Sequence, residues 1–147
     1  MVREVVGEVT GERRWSSERG LLVIRELSPT VTLFLEQGHL DADFAPVLLA
    51  GLQATLRRPG RQHLFVDAEG LTLYAPEIQH AATAWLRAHR QRIVTQHMLV
   101  GSRLTQAGVS LASVNVGSAV RGYNVREHFE AVLAQAVRGE LDVPDAR

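Results

Sequence analysis

The sequence predicts one α/β domain built on a mixed sheet of four to six strands with about four helices. Three observations carry this. Two runs rich in β-formers, residues 21–27 and 31–36, are separated only by Ser28-Pro29-Thr30, which breaks the ladder and marks an antiparallel hairpin. From residue 41 onward, stretches of helical apolar periodicity alternate with short apolar runs, the pattern of parallel strands joined by right-handed crossovers. At the centre, residues 62–76 pass from an apolar strand through an Asp67-Ala68-Glu69-Gly70 turn to a Pro suited to the first turn of a helix.

In chain order the expected elements are β-β-α-β-α-β-α-β-α, with a further strand at residues 2–9, where Gly7 interrupts four valines. Residues 11–20 are polar and read as a surface loop, anchored on the domain by Trp15. In the second hairpin strand Val31, Leu33 and Leu35 share a face. Asp41 or Asp43 can cap a first helix carrying Phe44, Leu48, Leu52 and Leu56, with Pro46 in its first turn. The basic run Arg57, Arg58, Arg61 then complements the dipole at the helix end. A second helix opens at Ala75-Pro76-Glu77 with Ile78, Ala81, Ala82, Trp85 and Leu86 on one side, which makes Trp85 a core residue by position. Residues 93–100 form a buried strand ended by Gly101, and Ser102 caps a third helix through Leu104, Ala107, Leu111 and Val114 to Gly117. Residues 118–123 suit a short strand at a sheet edge. Asn124 to Glu127 has capping-box spacing ahead of a last helix with Phe129, Val132, Leu133 and Ala136 on one face. Residues 1–20 therefore pack as a strand and loop on a domain spanning 21–139, and 140–147 form a flexible tail.

Composition narrows the function. With 147 residues the chain can bury roughly 70% of its unfolded surface without metals or disulfides. Sixteen basic residues balance sixteen acidic ones, so no global field draws it to nucleic acid or an anionic membrane. Cys is absent, which excludes disulfides, a thiol nucleophile and thiolate zinc sites. No apolar run approaches the roughly 20 residues of a membrane span and no signal-peptide core is present, so the expected location is the cytoplasm.

Catalytic patterns are weak. Gly108-Val109-Ser110-Leu111-Ala112 imitates a nucleophile elbow, but it falls inside an expected helix rather than on a strand-to-helix turn. Six histidines, His39, His63, His80, His89, His97 and His128, show no metal-ligand spacing. Glu77 and His80 lie one helical turn apart, which suits local support better than acid/base work. No Gly-rich phosphate cradle exists, although Ser102, Arg103 and Thr105 could place N–H groups and a positive charge around a small anion. The chain is expected to be no enzyme and to need no cofactor or metal.

The element order and three segments resemble the STAS domains, the anti-sigma-factor antagonist family of bacterial regulators. Val31-Thr32-Leu33-Phe34-Leu35-Glu36-Gln37-Gly38-His39-Leu40-Asp41 looks like that family's alternating strand followed by Gly-x-Leu-Asp. Residues 64–76 are similar to its central strand and switch loop, and residues 123–133 to its strand-to-last-helix ending. The resemblance covers about 21–137 and implies a STAS-like fold and a role in protein regulation. In the family the loop usually presents Asp-Ser at the start of the second helix, and a partner kinase phosphorylates that Ser. Here the matching positions are Ala75 and Pro76, which have no hydroxyl, so the resemblance implies a divergent member without the phosphoswitch.

Two functional readings follow. In the first, the chain is a non-enzymatic regulatory module that binds another protein through Asp67, Glu69, Tyr74, Ala75, Pro76, Glu77 and Gln79, with Thr83 and Arg87 on the same exposed helix face. In the second, it binds a small molecule or anion in a pocket between residues 74–76 and 101–105. Homodimerisation through an exposed edge strand is a third expectation.

Overall fold

The computed structural model describes residues 1–5, 11–101 and 119–141. The chain begins with strands β1 (Arg3–Val5), β2 (Glu12–Ser16), β3 (Gly20–Ser28) and β4 (Val31–Leu40), each antiparallel to the one before. Pro29 and Thr30 alone separate β3 from β4, and Arg58 ties that turn down by donating to the Ser28 carbonyl and the Thr32 hydroxyl. Asp41 caps a 3₁₀ turn (Ala42–Phe44) by accepting from the Asp43 N–H, and helix α1 (Ala45–Thr55) continues from it.

Strands β5 (Gln62–Ala68) and β6 (Leu71–Tyr74) both run parallel to β4, one after the other along the same edge of it. Helix α2 (Pro76–Ala88), strand β7 (Ile93–Val100), strand β8 (Ala119–Tyr123) and helix α3 (Arg126–Val137) complete the order. The resulting sheet has eight strands in the sequence β1-β2-β3-β4-β5-β7-β8, with β6 beside β4.

The pleat sorts the side chains. On one face Leu22, Ile24, Phe34 and Leu64 meet Leu48 and Leu52 of α1 and Ile78 and Leu86 of α2. On the other, Val31, Leu33, Phe65 and Leu99 meet Phe129 and Ala136 of α3. Each large side chain so buried contributes roughly 1.5–3 kcal/mol. Gly51 lets α1 lie close on the sheet, since a Cβ there would stand 2.2 Å from Ile24 Cδ1. Gly38 has φ 71°, and a Cβ on it would reach 2.2 Å from the Arg19 carbonyl oxygen, so only glycine suits the end of β4.

Several sequence expectations are corrected. The sheet has eight strands rather than four to six, because β2 occupies what reads as a loop and β6 adds a short rung. Trp15 anchors this region as expected, 7% exposed, but from within β2 and with the Arg13 guanidinium 4.8 Å from its ring centroid. The described residues hold three α-helices where about four are expected; the remaining one, at 102–117, lies outside them, as do the Gly108 to Ala112 motif and residues 142–147. The opening strand is seen only at Arg3–Val5. Trp85 is half-buried rather than core, because its indole N–H reaches out to donate to Gln53 Oε1 at 3.0 Å. Asn124 forms no capping box: α3 starts one residue later than that spacing requires, which makes Val125 the N-cap with no side-chain bond.

Candidate functional site

At the carboxyl ends of the parallel strands, β5 ends in Asp67 and Ala68, and the chain turns through Glu69 and Gly70 into β6. Asp67 is 8% exposed, and its carboxylate accepts from the Glu69 N–H at 3.3 Å, closing an Asx turn. Arg126, the first residue of α3, fixes this turn from across the sheet. Its Nη2 lies 3.0 Å from Asp67 and 3.3 Å from Glu69, while Nη1 reaches Glu130 at 3.2 Å. Burial works against the Arg126 charge, but hydrogen bonds to Asp67 and Glu130 and the surrounding carboxylates outweigh it and raise its pKa. The turn next to the start of α2 is thus a braced structure.

Beyond the turn, Ala75 is the N-cap of α2, extended at φ −65° and ψ 146° with no capping side chain, and Pro76 occupies the first turn. Pro76, Glu77 and Leu73 are exposed, Leu73 at 47%. No hydrogen bond joins Glu77 to His80.

Under α2 lies a cavity of about 90 Å³. Its apolar wall comes from Leu48, Val66, Ile78, Ala82, Leu86 and Met98, and its polar groups from Glu36, Tyr74, Gln79, Thr83 and Gln96. Glu36 sits on the same side of β4 as Phe34, 8% exposed, and burial pushes its carboxyl up to about 7. No donor among the described residues bonds to that carboxylate. Tyr74 beside it is pushed up to about 12 by burial and by the Glu36 charge. Gln96 is equally buried, and its amide nitrogen has no acceptor.

The opposite face buries bases. The His63 ring nitrogen Nδ1 bonds the Thr95 hydroxyl at 2.5 Å, and His97 Nδ1 bonds the Tyr123 hydroxyl at 2.8 Å. His97 stacks on Phe65 with centroids 4.3 Å apart, and its Nε2 is buried with no partner. Burial, then Arg121, then His63 push His97 down to about 4, and burial lowers His63 as well.

Of the residues predicted to bind a partner, Asp67 and Glu69 are drawn together but engaged by Arg126, whereas Pro76 and Glu77 are exposed and Ala75 is half-buried, packed against the core beneath α2. Tyr74 and Gln79 face the cavity, and Thr83, expected on an exposed helix face, lines it too; Arg87 is exposed. Ser102, Arg103 and Thr105, the expected anion-binding group, lie outside the described residues. The sequence reading missed Glu36, Gln96, His97 and Arg126. One signal was available for Glu36: strand alternation puts it in register with Phe34, on the face that must be buried. Among the described residues no three His, Asp or Glu side chains converge to hold a metal ion, and no helix is long and apolar enough to cross a membrane.

No known family profile and no curated protein matches the chain. Among solved structures, it is similar to an uncharacterised protein of the DUF3478 family with a SpoIIAA-like fold from Shewanella loihica PV-4. The TM-score is 0.54 at 9% identity, over 86% of this chain and 97% of that one. The SpoIIAA-like fold is the STAS fold, so the chain has a STAS-like architecture.

Proposed function

We propose that the chain is a non-enzymatic regulatory module that binds a protein partner through the passage from β6 into α2, without the phosphoswitch of the anti-sigma-factor antagonists. The observation that carries this reading is the Arg126 brace: it holds the Asp67–Glu69 turn in one conformation beside an exposed ridge of Leu73, Pro76 and Glu77. A preordered surface reduces the entropy cost of association. Ala75 and Pro76 offer no hydroxyl at the helix start, and Thr72 and Tyr74 are half-buried. Control by a phosphate on this ridge is therefore not part of the proposal. Reactive side chains do not converge among the described residues, which favours binding over catalysis.

The test is affinity capture from the native cell with the wild type and Ala75→Lys side by side. A cation at a helix N-terminus costs roughly 0.3–1 kcal/mol, so the variant keeps its fold, checked by circular dichroism. A specific protein retained by the wild type and lost by the variant is the expected outcome. Retention of the same proteins by both would remove the ridge as the binding surface.

A further inference from the structure

The cavity beneath α2 is a groove with two ends. Its α2 wall runs from Ile78 to Leu86, about 12 Å along the helix. Gln96 pairs with Leu64, and Glu36 lies one residue beyond the Leu35–Asp67 pair, which separates them by about four residues of strand, roughly 13 Å. Glu36 thus marks one end of the groove and Gln96 the other, with apolar wall between. Both residues are more than nine-tenths buried; the Gln96 amide nitrogen has no acceptor, and no donor among the described residues bonds the Glu36 carboxylate.

We propose that this groove binds a short, unbranched aliphatic ammonium ion, with its charged head on the Glu36 carboxylate and its chain along Val66, Ala82 and Met98. The charge of the guest follows from how the chain treats its other shielded acids. Asp67 is met by Arg126, and Glu12 by Arg14 at 2.7 Å and Arg25 at 3.5 Å. Glu36 alone among the described buried carboxylates has neither cation nor donor, and an uncompensated buried carboxylate is met best by a cation that donates to it. The size follows from the volume. A dry cavity of roughly 150 Å³ holds benzene, so about 90 Å³ suits a guest of four or five heavy atoms.

The site has a built-in pH dependence. Burial pushes Glu36 up to about 7, and among the described residues the groups facing it bring no other titration between pH 6 and 8. Tyr74 on β6 is pushed up to about 12, Leu48 of α1 and Ile78 of α2 are apolar, and Leu22 pairs with it from β3. His97, between Gln96 and Met98 on β7, turns its ring to the opposite face against Phe65, is pushed down to about 4 and stays neutral. An ammonium guest selects the ionised carboxylate. Its affinity therefore rises about tenfold from pH 6 to pH 8, as the ionised fraction does.

The experiment is a calorimetric titration of the full chain with n-butylammonium chloride, 1-butanol and sodium butyrate, at both pH values. Saturable binding of the ammonium, tighter at pH 8 and tighter than butanol, is expected. Glu36→Gln should weaken it at least tenfold and remove its pH dependence, and Ala82→Trp should block it by filling the groove. No saturable binding of the ammonium, preference for butanol or butyrate, or unchanged binding by Glu36→Gln would overturn the proposal. None of these readouts involves the Ala75 ridge, so the outcome is independent of the partner reading above.

Discussion

One sheet separates an acid from bases. On the face covered by α1 and α2, Glu36 is buried and pushed up to about 7; on the α3 face, His97 is buried and pushed down to about 4. The same physics acts with opposite sign, since a low-dielectric interior disfavours whichever form carries charge. The faces differ in what surrounds the group. His97 has a hydroxyl on Nδ1 and an aromatic ring against its plane, with Nε2 its one unpartnered atom, whereas Glu36 borders a cavity and has no donor among the described residues. A group that is packed and bonded serves the fold; a group left unmatched beside open space is available to a ligand.

The largest effect that sharpens this contrast is in packing. Phe129 carries α3 onto its face through edge contacts with Phe65 and Tyr123, both at 5.7 Å between centroids. Phe34 fills the centre of the other face, 1% exposed. Phe129→Ala and Phe34→Ala should each cost about 3–5 kcal/mol in urea unfolding. A loss below about 1 kcal/mol for either would mean that its face is not a packed core.

Next comes the opposite pH response of the two faces. Glu36 has its folded pKa raised, so the stability it supports is complete below its unfolded value near 4.5 and is lost as pH climbs to about 7. Glu36→Gln should therefore stabilise the protein by up to about 3 kcal/mol at pH 8 and by almost nothing at pH 4. His97 has its folded pKa lowered, so its contribution is complete above 6.5 and is lost as pH falls toward 4. In Glu36→Gln, where the opposing carboxyl response is absent, stability should fall across that acid window with a slope approaching about 1.4 kcal/mol per pH unit for the one proton, and adding His97→Phe should flatten it. Unfolding curves at pH 4, 6 and 8 separate the two. Identical pH profiles for wild type and both variants would show that neither group is shielded as described.

What the sequence made legible divides along similar lines. The β3–β4 hairpin, β5, β7 and the start of α2 at Pro76 were readable because each is announced locally, by an apolar run, a Pro or a Gly within a few residues. Strand β2 was not, since Glu12, Arg13 and Arg14 look like loop residues until β1 and β3 supply partners on either side. Strand β6 is four residues long and exists because β4 extends past the end of its pairing with β5. At the site, residues 67–77 were recognisable as a passage from strand to helix. The brace was not, because Arg126 and Asp67 are 59 residues apart and only the fold brings them within 3.0 Å. Burial of Glu36 could be inferred from strand parity, but the empty space beside it depends on how α2 seats on the sheet.

The smallest effect tests whether that brace orders the ridge or merely decorates it. Arg126 is 37% exposed at its side chain and Glu69 46%, so solvent screens much of their attraction, and exposed pairs of this kind contribute roughly 0.2–1 kcal/mol. Asp67 is more shielded, at 11%, and removing its cation leaves a carboxylate with less compensation. Arg126→Met keeps the aliphatic stem, so the change isolates the charge. It should cost about 1 kcal/mol at low salt and less at 1 M salt, where the Debye length falls to roughly 3 Å. If the brace orders the turn, amide hydrogen exchange at Glu69 and Gly70 should quicken in Arg126→Met by more than the global loss accounts for, and Asp67→Asn should add little further change. Unaltered exchange at those two amides would reduce Arg126 to a surface ion pair. The ridge of Leu73, Pro76 and Glu77 would then owe its order to β6 pairing with β4 and to the Ala75 N–H bonded to the Leu40 carbonyl at 2.9 Å.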